Sequence, residues 1–354
     1  MRLFINGMGN ISPQQTWNDE SALLHTFDYR GTMLQAILPP PGQWIPEGDL
    51  TTLNRLESMC VMAAHMALEK AGITSPDGII TGTGYGCQEV LAAILHQQTI
   101  GAADIDLPFT RSQYDTLGFQ IARLLKCNVY NQTFSQSAFS FEHTLLDAMM
   151  LLDEGAVENM LVGGADEIIE ESHLIQARAG MLRRKIASTR NLFTLPKRGT
   201  VVGEGAAYFV VSANQTKTTV AELKGLSLQY KPGPQALRDA LEVFIREQGF
   251  IPQDIDLVLL GKSGDKLGDQ FLNDLCKSTF PKSSIGLYKH LCGEYPVASA
   301  FALWLGARIL KERHIPEAVT FKYFSRPVNN VLIFNSYLNT HHSFMLLKSC
   351  QDIL

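Results

Sequence analysis

The sequence predicts an α/β fold in which helices are sandwiched between two sheets, and it predicts that the fold is built from two related halves. Short apolar segments typical of strands alternate with helical patterns along the chain. Each half contains one helix that is apolar nearly all round, at 139–154 and 297–311. Such a helix must be buried on every side, so we expect each to lie between sheets.

The first half begins with a strand at 3–9 that runs into a glycine-containing turn. The helix at 53–71 follows from the helical spacing of its apolar residues and is closed by Gly72. Its remaining elements, in order, are a buried strand at 78–80, a glycine turn at 81–86, a helix at 89–97, the central helix at 139–154 and a strand at 159–165.

A polar segment at 214–219 separates the halves, and the same alternation then restarts. We therefore expect two domains, residues 1–213 and 220–354. The elements predicted in the second are a helix at 234–248, a strand at 255–260, a loop at 261–268, a helix at 269–277, the central helix at 297–311, and strands at 330–334 and 344–348.

Composition excludes several classes of protein. The 354 residues include 35 acidic and 30 basic side chains, with 45% hydrophobic residues, which is typical of a globular chain with a net charge of −5. The chain has no long basic run, so we expect no nucleic-acid or anionic-membrane partner. The apolar run at 297–307 has only 11 residues, so we expect no membrane insertion.

The six cysteines are scattered, without a CxxC pair or zinc-type spacing. They are interpreted as reduced thiols of a cytoplasmic protein, with neither a metal nor a cofactor expected.

Five short motifs point to a known family. The segment 199–211 (GTVVGEGAAYFVV) resembles the GEGA-containing strand hairpin of β-ketoacyl-acyl-carrier-protein synthases. Four more segments resemble motifs of that family and fall in its order: 5–13 (INGMGNISP), 81–84 (TGTG), 155–165 ending in VGGA, and 287–293 (LYKHLCG). Five motifs in order are far more specific than one. The resemblance implies a thiolase-like αβαβα sandwich made of two related halves, and dimers that form through the sheets of the first halves.

The resemblance also implies where catalytic residues would stand. Active members use a cysteine at the start of the first buried helix, where the helix dipole favours the thiolate. Counting back without gaps from Gly155 and the VGGA strand places this position at Ala138. Alanine cannot be a nucleophile.

Two histidines from the second half complete the family's catalytic set. The segment 261–269 matches the first histidine's loop through its closing Leu-Gly-Asp, which puts Gly261 at the histidine position. The second histidine is retained as His290, and the lysine that usually precedes it is Ile285. The glycine-rich oxyanion loop is represented only by Asn335-Ser336-Tyr337.

The joint loss of these groups favours a non-condensing subunit of the chain-length-factor type. It would pair with an active ketosynthase and an acyl carrier protein in type II fatty acid, polyketide or aryl-polyene-like biosynthesis, as a heterodimer or a homodimer. Losing a covalent nucleophile typically costs about 10⁶ in rate, so the acyltransferase activity of the family is not expected of this chain alone.

Two alternatives remain open at this point. The chain could be an active condensing or acyl-transfer enzyme whose nucleophile is Ser135, Ser137 or Cys292, although turn or capping serines and a small buried cysteine are the simpler interpretations. It could also be a malonyl-carrier-protein decarboxylase in which His290 polarises the thioester; the glutamine used by some relatives would be Gln136, two positions away. A satisfied core histidine is an equal interpretation of His290.

Two further features carry alternative interpretations. His341 and His342 are adjacent and should face opposite sides of a strand, which disfavours a metal site. A basic cluster could be a solvated face or a docking surface for an acidic carrier protein; it comprises Arg178, Arg183, Arg184, Lys185 and Arg190.

Overall fold

The computed structural model describes residues 2–18, 23, 25–100, 109–186, 188–194 and 197–350. Its strands are β1 Leu3–Ile11, β2 Met33–Leu34, β3 Gly78–Gly82, β4 Tyr130–Phe134, β5 Asn159–Asp166, β6 Val202–Gly203, β7 Gly205–Ser212, β8 Ala221–Tyr230, β9 Leu257–Leu260, β10 Ser284–Leu287, β11 Thr320–Lys322, β12 Asn330–Tyr337 and β13 His341–Ser349. Its helices are α1 Arg55–Ala71, α2 Gln88–Thr99, α3 Thr116–Leu125, α4 Ser140–Asp153, α5 Glu170–Arg178, α6 Pro234–Glu247, α7 Lys266–Thr279, α8 Lys289–Cys292 and α9 Ala298–Glu312.

The two halves repeat one strand arrangement. The first half has the order β1-β7-β5-β3-β4, with antiparallel pairs as far as β5 and parallel pairs beyond it. The second half has the order β8-β13-β12-β9-β10 with the same senses. The predicted duplication is therefore confirmed strand for strand, while the domain limits at 213 and 220 stay a prediction.

The sheets of the two halves are joined, which differs from the expected pair of separate sheets. β1 and β8 pair antiparallel over three residue pairs, from Leu3↔Leu223 to Ile5↔Ala221. Each is the edge strand of its half-sheet. Their pairing therefore satisfies backbone N–H and C=O groups that would otherwise have no partner. The result is a continuous ladder of 11 strands.

Three helical layers cover the two half-sheets. α4 and α9 pack together between them, α1 and α3 cover the outer face of the first half, and α6 and α7 lie with the outer core of the second. Every residue of α9 from Ala298 to Leu310 is buried, as its apolar pattern predicts. The order of layers is αβαβα.

Some element bounds differ from those predicted. α7 begins at Lys266 rather than 269, because the Asp265 side chain accepts a hydrogen bond from Leu267 N at 3.1 Å and caps the helix. β12 and β13 extend beyond the predicted 330–334 and 344–348 and meet in a short hairpin. This hairpin lies at the candidate site.

Candidate functional site

Ala138 lies in a sharp strand-to-helix turn between β4 and α4. A short 3₁₀ turn, Ser137–Phe139, connects the two, and Ser137 has a φ of 52°, a left-handed conformation that is strained for a side chain with a Cβ. Turns of this shape present catalytic nucleophiles in other enzymes. Here the residue at the turn is Ala138, which is 1% exposed and has no nucleophilic atom.

The polar residues around this turn have separate positions. Ser140 stabilises the turn: its Oγ accepts a hydrogen bond from Gln136 N at 2.8 Å and lies 2.7 Å from Ser137 O. Ser135, Gln136 and Ser137 are exposed. The sequence analysis did not single out Ser140, although a serine at the start of a helix is a common capping signal.

The space beside Gly261 is filled. A Cβ at this position would lie 2.8 Å from Tyr288 Oη, 2.9 Å from Asn335 Cα and 2.9 Å from Ser336 N. The Tyr288 hydroxyl is fixed there, because it donates a hydrogen bond to Asn335 Oδ1 at 2.7 Å. A histidine side chain at 261 has no room in this packing.

His290 is buried in α8, and its hydrogen bond is made to the backbone. Its Nε2 lies 2.8 Å from Ala318 O, and since a carbonyl only accepts, Nε2 carries the proton. Burial lowers the pKa of His290 to about 4, so the ring is neutral at pH 7. The Phe193 ring packs edge-on against it at 5.4 Å between centroids.

A tight hairpin stands where a glycine-rich loop would be. β12 ends at Tyr337, β13 begins at His341, and Thr340 N donates to Tyr337 O at 3.0 Å. Leu338 and Asn339 have positive φ values of 49° and 55°. The hairpin packs on Gly268, where the Asn339 side chain occupies the space that a Cβ would need. No glycine-rich segment supplies free backbone N–H groups in this connection.

Cys292 is fully buried, and its Sγ lies 3.3 Å from Gly293 O. Burial raises the pKa of its thiol well above the usual range, so the thiolate is disfavoured. Beside it, Lys289 Nζ lies 2.7 Å from Glu294 Oε2 and 2.6 Å from Ser336 O. This buried ion pair was missed by the sequence analysis, since no spacing rule connects a lysine and a glutamate five residues apart.

The predicted glycine turn at 81–86 binds a carboxylate of the protein itself. Asp166 Oδ1 accepts hydrogen bonds from Thr83 Oγ1, Gly84 N and Tyr85 N at 2.7 to 2.8 Å, and Oδ2 accepts from Val297 N at 3.1 Å. Burial raises the pKa of Asp166 to about 6 despite these donors. Asp166 thereby ties the turn to the start of α9 in the other half.

The predicted basic cluster is divided in the structure. Arg183 is buried and donates to the carbonyl oxygens of Gly199, Leu192 and Gly264, so it has a structural role. Arg190 lines a different cavity. The exposed basic residues around a concavity of about 710 Å³ are Arg178, Arg184, Lys185, Lys197 and Arg198. The predicted cluster did not include Lys197 and Arg198, although they follow Arg190 by only seven and eight residues.

His341 and His342 are adjacent on β13, the first half-buried and the second buried. Within the residues that the structure describes, no group of three or more His, Cys, Asp and Glu side chains is arranged to hold a metal ion. In the same part of the chain, no helix has both the length and the apolarity needed to cross a bilayer.

The duplicated αβαβα architecture defines a thiolase-like α/β protein. The family model described as "Beta-ketoacyl synthase, N-terminal domain" matches residues 13–217, which is more than half of the sequence. The chain belongs to the β-ketoacyl synthase family.

Known relatives agree with this assignment. Nodulation protein E from Rhizobium sp. (strain N33) is 23% identical over 322 residues, covering 82% of this chain and 78% of that protein. The solved ishigamide ketosynthase/chain length factor is similar with a TM-score of 0.84 at 20% identity, covering 99% of both chains. A ketosynthase in complex with its chain length factor from Xenorhabdus doucetiae gives 0.78 at 16% identity, covering 98% of both. At these identities, the structures show the shared fold.

Proposed function

We propose that this chain is a non-condensing, chain-length-factor-type subunit that pairs with a cysteine-bearing ketosynthase and works on carrier-bound acyl chains. One combination of features supports the proposal: two of the three predicted catalytic side chains and the glycine-rich loop are missing together, and the space beside Gly261 is filled. Ala138 offers a methyl group, the Tyr288 hydroxyl and the β12 backbone fill the space beside Gly261, and a hairpin replaces the oxyanion loop.

These losses remove separate parts of the chemistry. Acyl transfer needs a nucleophile that forms a covalent intermediate, and decarboxylation needs donors at the thioester oxygen as negative charge develops there. His290 keeps its ring, but its Nε2–H is bound to Ala318 O. The thioester would therefore find no nucleophile at Ala138, and the His290 Nε2–H and the Gly261 N–H are already bound to carbonyl oxygens.

The experiment compares the chain alone with the chain co-expressed with a ketosynthase from the same biosynthetic locus. We expect no carbon–carbon bond formation from acyl- and malonyl-carrier protein by the chain alone, and a stable complex with the ketosynthase. Robust turnover by the chain alone would overturn the proposal. Covalent labelling of Ser135, Ser137 or Cys292 by an acyl-mimicking electrophile would favour an atypical nucleophile. Carbon dioxide release lost in His290→Ala would favour a decarboxylase.

The partner surface that we propose is the outer edge of β4. β4 is the terminal strand of the ladder at the first-half end, and its residues are exposed or half-buried. Large exposed apolar side chains lie on it and beside it: Tyr130 on β4 itself, and Phe109, Tyr114 and Phe119 on neighbouring segments. An exposed strand edge beside apolar side chains is a typical pairing surface, and the family resemblance implies dimerisation through this half.

A charge at this surface should break the complex. Phe119 is 56% exposed on α3, so Phe119→Asp should leave the fold intact but place an unpaired carboxylate in the interface. We expect the dissociation constant to rise at least about 100-fold, in keeping with interface hot spots, by analytical ultracentrifugation or surface plasmon resonance. The matched control is Tyr323→Asp, also an exposed aromatic (63%) but near the opposite end of the ladder. Equal weakening by both variants would contradict the β4 interface.

We propose the basic concavity as the docking surface for the acidic carrier protein. Arg178, Arg184, Lys185, Lys197 and Arg198 are exposed around it, and no acidic side chain is among the described residues that line it. This local positive charge on a chain of net charge −5 fits electrostatic steering of an acidic partner.

Reversing two of these charges should weaken docking. We expect Arg184→Glu with Lys185→Glu to lower carrier-protein affinity about 10-fold at low salt, with a smaller effect at high salt because surface charges are screened. Arg246→Glu with Lys282→Glu, a double variant at exposed sites elsewhere, is the control. Affinity that is unchanged in the first double variant, measured by fluorescence anisotropy, would reject this docking surface.

A further inference from the structure

Lys262 is a buried lysine that has no role among the predicted catalytic positions or in the proposed function. It directly follows Gly261 and is only 3% exposed. Its ammonium lies over two aromatic rings, 5.5 Å from the Phe193 centroid and 4.8 Å from the Phe321 centroid. Among the residues that the structure describes, its Nζ has no hydrogen-bond acceptor and no carboxylate within ion-pair distance. Such a group is costly to bury unless something neutralises it.

The carboxylate that attracts the Lys262 ammonium, Asp269, already accepts hydrogen bonds from the backbone. Asp269 accepts hydrogen bonds from Ser263 N and Gly264 N, both at 2.9 Å, and so holds the loop between β9 and α7. Burial lowers the pKa of Lys262 in spite of the attraction of Asp269. The protein alone therefore stabilises the charged form of Lys262 incompletely.

Lys262 lines a cavity of about 350 Å³, which is within the size range of small-ligand sites. One face of α7 forms a wall of this cavity and supplies two further lysines and two amides: Lys266, Gln270, Asn273 and Lys277. Asp269 and Asp274 also lie in the lining. This wall combines ammonium and amide donors for an anion with carboxylates that can accept from hydroxyl or amide groups.

We propose that this cavity binds a phosphate ester that also carries hydroxyl or amide groups, with Lys262 as the main contact to the phosphate. A phosphate takes several donors at once, which matches three lysines and two side-chain amides around one cavity. The ligand's negative charge would supply what the buried ammonium lacks. This inference does not depend on the proposed partner role, because the cavity belongs to this chain alone.

The phosphate ester could be a small free molecule, or it could be the phosphodiester that attaches the prosthetic arm of a carrier protein. Isothermal titration calorimetry on the full chain separates these sources with four probes: glycerol 3-phosphate, glycerol, and a carrier protein with and without its prosthetic arm. Tighter binding of glycerol 3-phosphate than of glycerol indicates a site for free esters. A preference for the arm-bearing carrier protein indicates the carried form.

In either case, Lys262→Met should weaken the phosphate-dependent binding at least tenfold. Methionine keeps the length of the side chain between the two rings, and thermal unfolding checks that the variant folds. Lys277→Met, at the exposed rim of the cavity, should weaken binding two- to fivefold and gives a second readout if Lys262→Met does not fold. Lys282→Met, exposed outside the cavity, should leave affinity within twofold. The absence of phosphate-dependent binding, or binding that both cavity variants leave unchanged, would overturn the proposal.

Discussion

The two halves of the molecule share one strand arrangement, but they differ at the positions predicted to be catalytic. In the first half a sharp strand–turn–helix geometry is present, Ser137 has a positive φ, and Ala138 at the turn has no reactive side-chain atom. In the second half Tyr288 fills the space beside Gly261, and a tight hairpin joins β12 to β13. The difference from the family pattern thus concerns one side chain in the first half, and both packing and backbone in the second.

The largest effect on stability should follow from placing a histidine at Gly261, the predicted position of the first histidine of the second half. Gly261→His must displace the Tyr288 hydroxyl and the backbone of β12, so we expect a loss of more than about 3 kcal/mol in the free energy of unfolding. Urea denaturation measures it. The control is Gly48→His, at an exposed glycine where an added Cβ would meet no atom within 4 Å, which should change stability by less than about 0.5 kcal/mol. Similar losses in the two variants would contradict a filled site at Gly261.

A contact between the halves should contribute to the dependence of stability on pH. Glu142 on α4 accepts a hydrogen bond from Ser343 Oγ on β13 at 2.6 Å, and burial raises its pKa from 4.5 to about 7. A raised acid pKa means that the folded state binds the proton more tightly. The stability from this group is therefore present below pH 4.5 and is lost as the pH rises through about 7.

Glu142→Gln should remove that dependence. Between pH 4.5 and 8.5, the wild type should lose up to about 3 kcal/mol more stability than the variant, which is the shift in pKa converted to free energy. Denaturant unfolding at several pH values measures the difference, with the exposed Glu247→Gln as control. Parallel pH profiles of the wild type and Glu142→Gln would show that Glu142 is not the titrating group.

The smallest effect on stability is expected from restoring the cysteine of the first half. Ala138→Cys adds one sulfur atom at a turn whose shape is already that of a nucleophile position, so it should cost less than about 1.5 kcal/mol. Condensation by the chain alone should nevertheless stay at background in a product assay by mass spectrometry, because Gly261 stands at the predicted position of the first histidine. Turnover near that of a ketosynthase would show that the nucleophile is the only missing part.

The sequence predicted correctly those elements whose burial follows from their composition. α4 and α9 were predicted because a helix that is apolar all round must be internal. β4 and α3 were not predicted: β4 reads Tyr-Asn-Gln-Thr-Phe, a polar edge strand whose pattern does not alternate clearly.

At the candidate site, too, the sequence predicted some features and not others. Motif order placed Ala138, Gly261 and His290 at the family's catalytic positions, and this assignment stays a prediction. It did not predict what fills the space at Gly261, because Tyr288 reaches it from the start of α8 and Asn335 from β12. Nor did it predict the aromatic surroundings of Lys262, since Phe193 and Phe321 are each about 60 residues or more away in sequence and meet only in the folded chain.

The ends of the 11-strand ladder have a consequence for assembly. At the second-half end, the three-residue β11 runs antiparallel along β10 and leaves only a short edge, whereas β4 leaves five residues available at the other end. If two subunits join through β4, this longer edge is used up on both sides, and the growth of the sheet stops. Pairing through β4, as proposed, would thus give closed pairs rather than open-ended fibres, whichever family member supplies the second copy.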